Sequence, residues 1–233
     1  MADATRDPPD ALRRALAAFR AGDLDAALRL TGGVLAGTPE SINALHLLGL
    51  IEARRGRLAE AERAIARAVE LEPGFAAAHA SLARVLAEQG RAEAAVASYD
   101  RALALKPEHA EAHFRRANLL RGLNRLDQAL AGFERAVALQ PANAEAWNNR
   151  GVVLKALGRP DQALASYDRA LAARPGFAEA HGNKGNLLID AKRPEDALGC
   201  FDRALALKPD DVQTLNNRGN ALVQLAQADE ERG

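Results

Sequence analysis

The chain has 233 residues, 48% hydrophobic but only 4% aromatic, so it can bury a sizeable core yet must build it mainly from small side chains. Its 31 basic and 31 acidic residues cancel to zero net charge, which removes the broad positive field on which general binders of nucleic acid or anionic lipid rely. Abundant alanine with few rings favours helix packed on helix.

Residues 1–7 lack the apolar stretch of a secretory leader and are expected to be disordered. The longest apolar run, around Leu45–Ile51, is far too short to span a bilayer. A single cysteine, Cys200, leaves no internal disulfide and no multi-thiolate metal site, in keeping with a reducing compartment. A cytoplasmic protein with no membrane partner is expected. The excess of Arg over Lys beside so much Ala points to a GC-rich bacterial genome.

From residue 8 the chain falls into units of 34 residues, each closed two residues after a proline. Unit 8–41 is the least regular: Ala11 and Ala15, a breaker at Gly22, then Ala27, Thr31, Val34 and Pro39. Unit 42–75 has Leu45 and Gly49, then Gly56, then Ala61, Ile65, Ala68 and Pro73. Unit 76–109 follows with His79, Ala83 and Leu86, Gly90, then Ala95, Tyr99, Ala102 and Pro107. Unit 110–143 has His113, Asn124, Ala129, Phe133, Ala136 and Pro141. Unit 144–177 is the fullest, with Trp147, Gly151 and Leu154, Gly158, then Ala163, Tyr167, Ala170 and Pro175. Unit 178–211 repeats it with His181, Gly185 and Leu188, Lys192, then Ala197, Phe201, Ala204 and Pro209. A remnant over 212–228 keeps Leu215, Gly219 and Leu222 and reads as a closing helix before the charged tail 229–233.

Spacings of four and three place each of these sets on one stripe of a helix. The breaker between two stripes ends the first helix in a left-handed residue, and the proline ends the second. Each unit is therefore expected to be a helical hairpin that cannot bury its stripes alone and must stack on its neighbours.

The pattern large-x-x-x-small-x-x-large, then Ala-x-x-x-aromatic-x-x-small, then Pro, at this period, resembles the tetratricopeptide repeat family over residues 8–228. The resemblance implies an all-α fold, a right-handed α-solenoid of tandem helix-turn-helix repeats, with first helices on a concave wall and second helices on the convex back. It also implies a groove that binds an extended peptide or helix of a partner protein.

The first-helix positions outside the core stripe would form that wall: Arg115, Asn118 and Arg121; Asn148, Asn149 and Lys155; Asn183 and Asn186; Asn216, Asn217 and Asn220. Earlier units offer a more apolar and basic set, Leu47, Leu50, Arg54, Ser81 and Arg84. Asn149, Asn183 and Asn217 share one register although Asn costs a helix more than about half a kcal/mol relative to Ala. An amide carries donors and an acceptor, so a column of Asn can hold successive peptide units without reading side chains. The column is similar to the asparagine ladder in the repeat domain of protein O-GlcNAc transferases, and the resemblance implies a peptide-holding role. The plainer reading, in which these Asn sit in the first turn and face water, stays open at this stage. A basic clamp for a terminal carboxylate does not fit, because Glu111, Glu145 and Glu179 occupy its places.

Arg116, Arg150, Lys184 and Arg218 form a second column, read either as stems covering the layer interface or as a contact for acidic partner residues. His79, His113 and His181 follow the Trp147 register and His109 lies in the turn between repeats, so these are expected to be structural, as is Cys200. No phosphate loop, nucleophile elbow or zinc-hydrolase motif occurs, so no catalytic residue, metal or cofactor is expected. The sequence points first to an interaction scaffold. The alternative is the substrate-recognition arm of a separate or missing glycosyltransferase or methyltransferase. Self-association through the terminal helices is a third expectation, since the outer side of the closing helix, taken as Arg218, Ala221 and Leu225, is only partly polar.

Overall fold

The computed structural model describes residues 9–230, with side chains placed for 10–227; among them every regular element is an α-helix. The expected disordered start, 1–7, and the last three residues of the expected tail lie outside the described residues. The chain divides into two compact units, Met1–Ala112 and His113–Gly233.

Unit 1 holds α1 (Pro9–Arg20), α2 (Leu24–Gly37), α3 (Ile42–Arg54), α4 (Leu58–Leu71), α5 (Ala76–Glu88), α6 (Ala92–Leu105) and the first three residues of α7 (Ala110–Gly122). Unit 2 holds the rest of α7, then α8 (Leu126–Leu139), α9 (Ala144–Ala156), α10 (Pro160–Ala173), α11 (Ala178–Asp190), α12 (Pro194–Leu207) and α13 (Val212–Glu230). In unit 1, α1 to α6 each pack on the next helix in sequence, and α3 also touches α1 and α5; in unit 2 the same holds from α8 to α13, with α11 touching α9 and α13. Each unit is thus a run of stacked hairpins.

The turn inside every hairpin has one cause. Gly22, Gly56, Gly90, Asn124, Gly158 and Lys192 all have φ between +57° and +83°, the left-handed conformation that ends an α-helix by offering its last carbonyls new donors. The following residue bonds back accordingly, as Arg193 N–H does to the Leu188 carbonyl at 2.9 Å. Asp23, Ser41 and Asn143 cap α2, α3 and α9 by accepting backbone N–H bonds from Ala26, Ala44 and Ala146.

The core follows the small-large-small stripe of the second helices. Each residue of the sets Ala27/Thr31/Val34, Ala61/Ile65/Ala68, Ala95/Tyr99/Ala102, Ala129/Phe133/Ala136, Ala163/Tyr167/Ala170 and Ala197/Phe201/Ala204 is exposed by 3% or less. Where the first helix of the same hairpin carries a glycine in register, the large member enters a socket there. Ile65 fills the space beside Gly49, and the Tyr167 and Phe201 rings come within 2.5 Å of where a Cβ on Gly151 or Gly185 would stand. Only glycine lets the ring in so far, and burying each such side chain stabilises its hairpin by roughly 2–3 kcal/mol.

One further tie recurs across the turn between repeats. The ring N–H six residues after the proline donates to that proline's carbonyl: His79 Nε2 to Pro73 at 2.9 Å, Trp147 Nε1 to Pro141 at 2.9 Å, and His181 Nε2 to Pro175 at 3.0 Å. A carbonyl can only accept, so Nε2 of both histidines carries the proton. His79 and His181 are buried, in line with the structural role expected for them.

Candidate functional site

The first helices of unit 2 present their Asn side chains to one another. Asn118 Nδ2 donates to the Phe114 carbonyl one turn back in α7 at 3.1 Å, and Asn149 of α9 donates to Asn118 Oδ1 at 2.8 Å. Asn148 Nδ2 reaches Asn149 Oδ1 at 3.4 Å and Glu179 of α11 at 3.1 Å, while Asn183 of α11 donates to Asn148 Oδ1 at 3.0 Å. Asn217 of α13 donates to Asn186 Oδ1 of α11 at 2.7 Å. Each bond between repeats is a rung joining neighbouring first helices, at a sequence separation of 31 or 35.

The ten expected site residues thereby separate into three kinds. Asn148 is 1% exposed and wholly taken up by the rungs. Asn118, Asn149, Asn183, Asn186 and Asn217 are half-buried, and the amides of Asn183, Asn186 and Asn217 spend only part of their hydrogen-bonding capacity on the rungs. Arg115, Lys155, Asn216 and Asn220 are exposed. Lys155 pairs with Asp190 at 2.8 Å from the end of α9 to the end of α11. Lys155, Asn186, Asn217 and Asn220 come together with Ile189, Asp190 and Gln213 around a depression of about 310 Å³. Sequence reasoning missed the last three and the rungs themselves, although the 31-residue separations of Asn118 from Asn149 and of Asn186 from Asn217 are visible in the sequence.

In unit 1 the equivalent wall is used differently. Leu47, expected on an open apolar surface, is 4% exposed and packs in the cluster of Ala15, Phe19, Ala27 and Ile51, against which Leu50 is partly buried. Arg54 lies 4.0 Å over the Phe19 ring and donates to the Phe19 carbonyl at 3.0 Å. The irregular first hairpin lacks bulk in its own stripe, and α3 supplies it. One rung persists: His46 Nε2 lies 2.9 Å from Ser81 Oγ, three repeats before the Asn148–Asn183 rung. The His46 ring is edge-on to Phe75, and burial, followed by the nearby Arg84 charge, lowers its pKa to about 4.

In the second column, Arg150, Lys184 and Arg218 are satisfied within the chain. Arg150 pairs with Glu134 at 3.1 Å and donates to Ser166 Oγ at 2.6 Å; Lys184 pairs with Asp168 and Arg218 with Asp202, each at 2.6 Å. Each cation reaches sixteen residues back to the second helix of the preceding repeat, so the column fastens successive repeats. Cys200 is buried, and desolvation raises its thiol pKa. Among the described residues no three His, Cys, Asp or Glu side chains gather as a metal set, and no helix is long and apolar enough to cross a membrane.

The 34-residue hairpins, their left-handed turns and their filled sockets agree with a comparison against family models: the tetratricopeptide repeat model matches at 12–74, 46–110, 80–144, 114–178, 153–212 and 183–232. The chain belongs to the tetratricopeptide repeat family. Among solved structures it is similar to YrrB, described as a tetratricopeptide repeat protein with an unusual peptide-binding site, at 23% identity and a TM-score of 0.74, over 81% of this chain and 97% of that one. MamA is similar at 22% identity and a TM-score of 0.68, over 71% of this chain and 97% of that one. The pilF protein of Pseudomonas aeruginosa follows at 21% and 0.65, over 82% and 92%. These likenesses concern the fold. A search of the curated proteins finds no match.

Proposed function

We propose that the first-helix face of unit 2 holds an extended segment of a partner protein, mainly through its backbone. The observation that carries this reading is the depression beside α9, α11 and α13, where Asn186, Asn217, Asn220 and Gln213 supply amide donors and acceptors and the Lys155–Asp190 pair supplies both charges. The rungs hold Asn186 and Asn217 in place before any ligand arrives, which lowers the side-chain ordering cost of binding. Amides that read peptide units and not side chains suit a client of loosely defined sequence.

Asn149, Asn183 and Asn217 also join repeats, so replacing them would disturb stacking together with binding. The exposed Lys155, Asn216 and Asn220 separate the two effects. The variant Lys155→Ala/Asn216→Ala/Asn220→Ala is expected to keep its helical circular dichroism and to melt close to wild type, since the exposed Lys155–Asp190 pair contributes little, and to lose at least tenfold of a defined set of proteins captured from native cell extract beside the wild type. Equal capture by both proteins, read by quantitative mass spectrometry, would remove this face as the binding site.

A further inference from the structure

Six second helices bury their stripes against first helices, but α13 carries a first-helix stripe that no described helix covers. Val212, Leu215, Gly219, Leu222, Val223 and Ala226 are all exposed and fall within an arc of about 100° on the helix. The side expected from the sequence to face outward is the packed one. Ala221 is buried with Leu188 and Phe201, and Arg218 is held by Asp202. The contrast is sharpest at Leu222, 45% exposed, whose counterparts Leu86, Leu120, Leu154 and Leu188 are exposed by 4% or less. At Gly151 and Gly185 an aromatic ring occupies the socket, whereas a Cβ on Gly219 would meet nothing within 4 Å.

Among the described residues no turn follows the slot. The left-handed register of Gly158 and Lys192 is occupied next by Ala226, and α13 runs through it to Glu230. We propose that α13 is an open second-helix slot that takes an amphipathic helix of a partner protein bearing Ala-x-x-x-Tyr/Phe-x-x-Ala. The upstream hairpins define that occupant, because the stripe on α13 repeats the surface that Ala163/Tyr167/Ala170 and Ala197/Phe201/Ala204 cover, and it continues from the Leu188–Phe201–Ala221 core. A second copy has no such helix to offer: within each hairpin the large residue and both small residues of the second-helix stripe are already buried. Val223 and the neighbouring Asn216 mark the border between this slot and the peptide face, since Ile189 and Lys155 hold the Val223 register one and two repeats earlier, so the slot is tested at Gly219 and Leu222, away from that border.

The probe is a fluorescein-labelled, end-capped peptide with the sequence of α10, Pro160–Ala173, titrated into the full chain and followed by anisotropy. Saturable binding is expected, weakened at least tenfold when the peptide's tyrosine is replaced by alanine. The protein variant Gly219→Leu, which fills the socket without meeting any neighbour, is expected to weaken it as much while melting no lower than wild type. Because isolated helices of this length are marginal in water, the same peptide is also joined to the C-terminus through a flexible Gly/Ser linker. There it should raise the melting temperature, and Gly219→Leu should cancel the rise. No binding in either form, or binding that survives Gly219→Leu, would overturn the proposal. So would a concentration-dependent doubling of mass in sedimentation that Leu222→Asp abolishes, since a second copy would then close the slot.

Discussion

At the scale of single residues, the meaning of a glycine here is set by what its hairpin partner does. Gly185 and Gly219 share a register, yet the first admits the Phe201 ring to 2.5 Å and the second faces open space. The same substitution should therefore have opposite signs. Gly185→Ala gains helix propensity but forces a buried ring out of its socket, for a net loss of about 1–2 kcal/mol. Gly219→Ala meets nothing and should gain about 0.5–1 kcal/mol from reduced backbone freedom in the unfolded chain. Urea denaturation of the two variants beside wild type checks this, and a loss at both positions would mean that Gly219 is not open.

At the scale of the hairpin, the rungs between first helices show what the sequence reveals and what it hides. The 34-residue period, the left-handed breakers and the socketed rings were legible because each residue type has a local reason for its place. The fate of the Asn side chains was not, because a column of Asn reads alike whether the amides face water, a ligand or each other. Only the offset between helices decides that, and it turned Asn148 inward. Leu47 shows the converse, an apolar residue on the expected open wall that the small-residue first hairpin draws into its core. The His46–Ser81 rung gives this scale a pH dependence. The ring has an ordinary pKa of 6.5 and about 4 in the fold, so folding favours the neutral form. Its contribution is whole above pH 6.5 and is lost as pH falls toward 4, on the order of 2–3 kcal/mol. His46→Gln can keep a bond to Ser81 without titrating. The stability difference between wild type and this variant should shift against wild type between pH 7 and pH 4 in urea melts, and a constant difference would show that the buried ring does not titrate in this range.

At the scale of the whole molecule, the described helices of each unit pack on their first and second neighbours along the chain, so stability should be shared locally and not held by one core. Such arrays open by cooperative segments, the least covered first. In unit 2, α13 exposes Val212, Leu215, Leu222 and Val223, whereas α9 to α11 are packed on both sides. Native-state hydrogen exchange should accordingly show protection lowest in α13, rising through α12, and highest over α9 to α11. Introducing Gly185→Ala should lower protection from α11 to α13 most and leave α3 to α5 close to wild type, because the displaced Phe201 ring belongs to a cluster shared by α11, α12 and α13. If all slow amides instead lost protection by the same factor, the chain would be opening in one global step, and an uncovered α13 could not be described as a locally weak end with room for another helix.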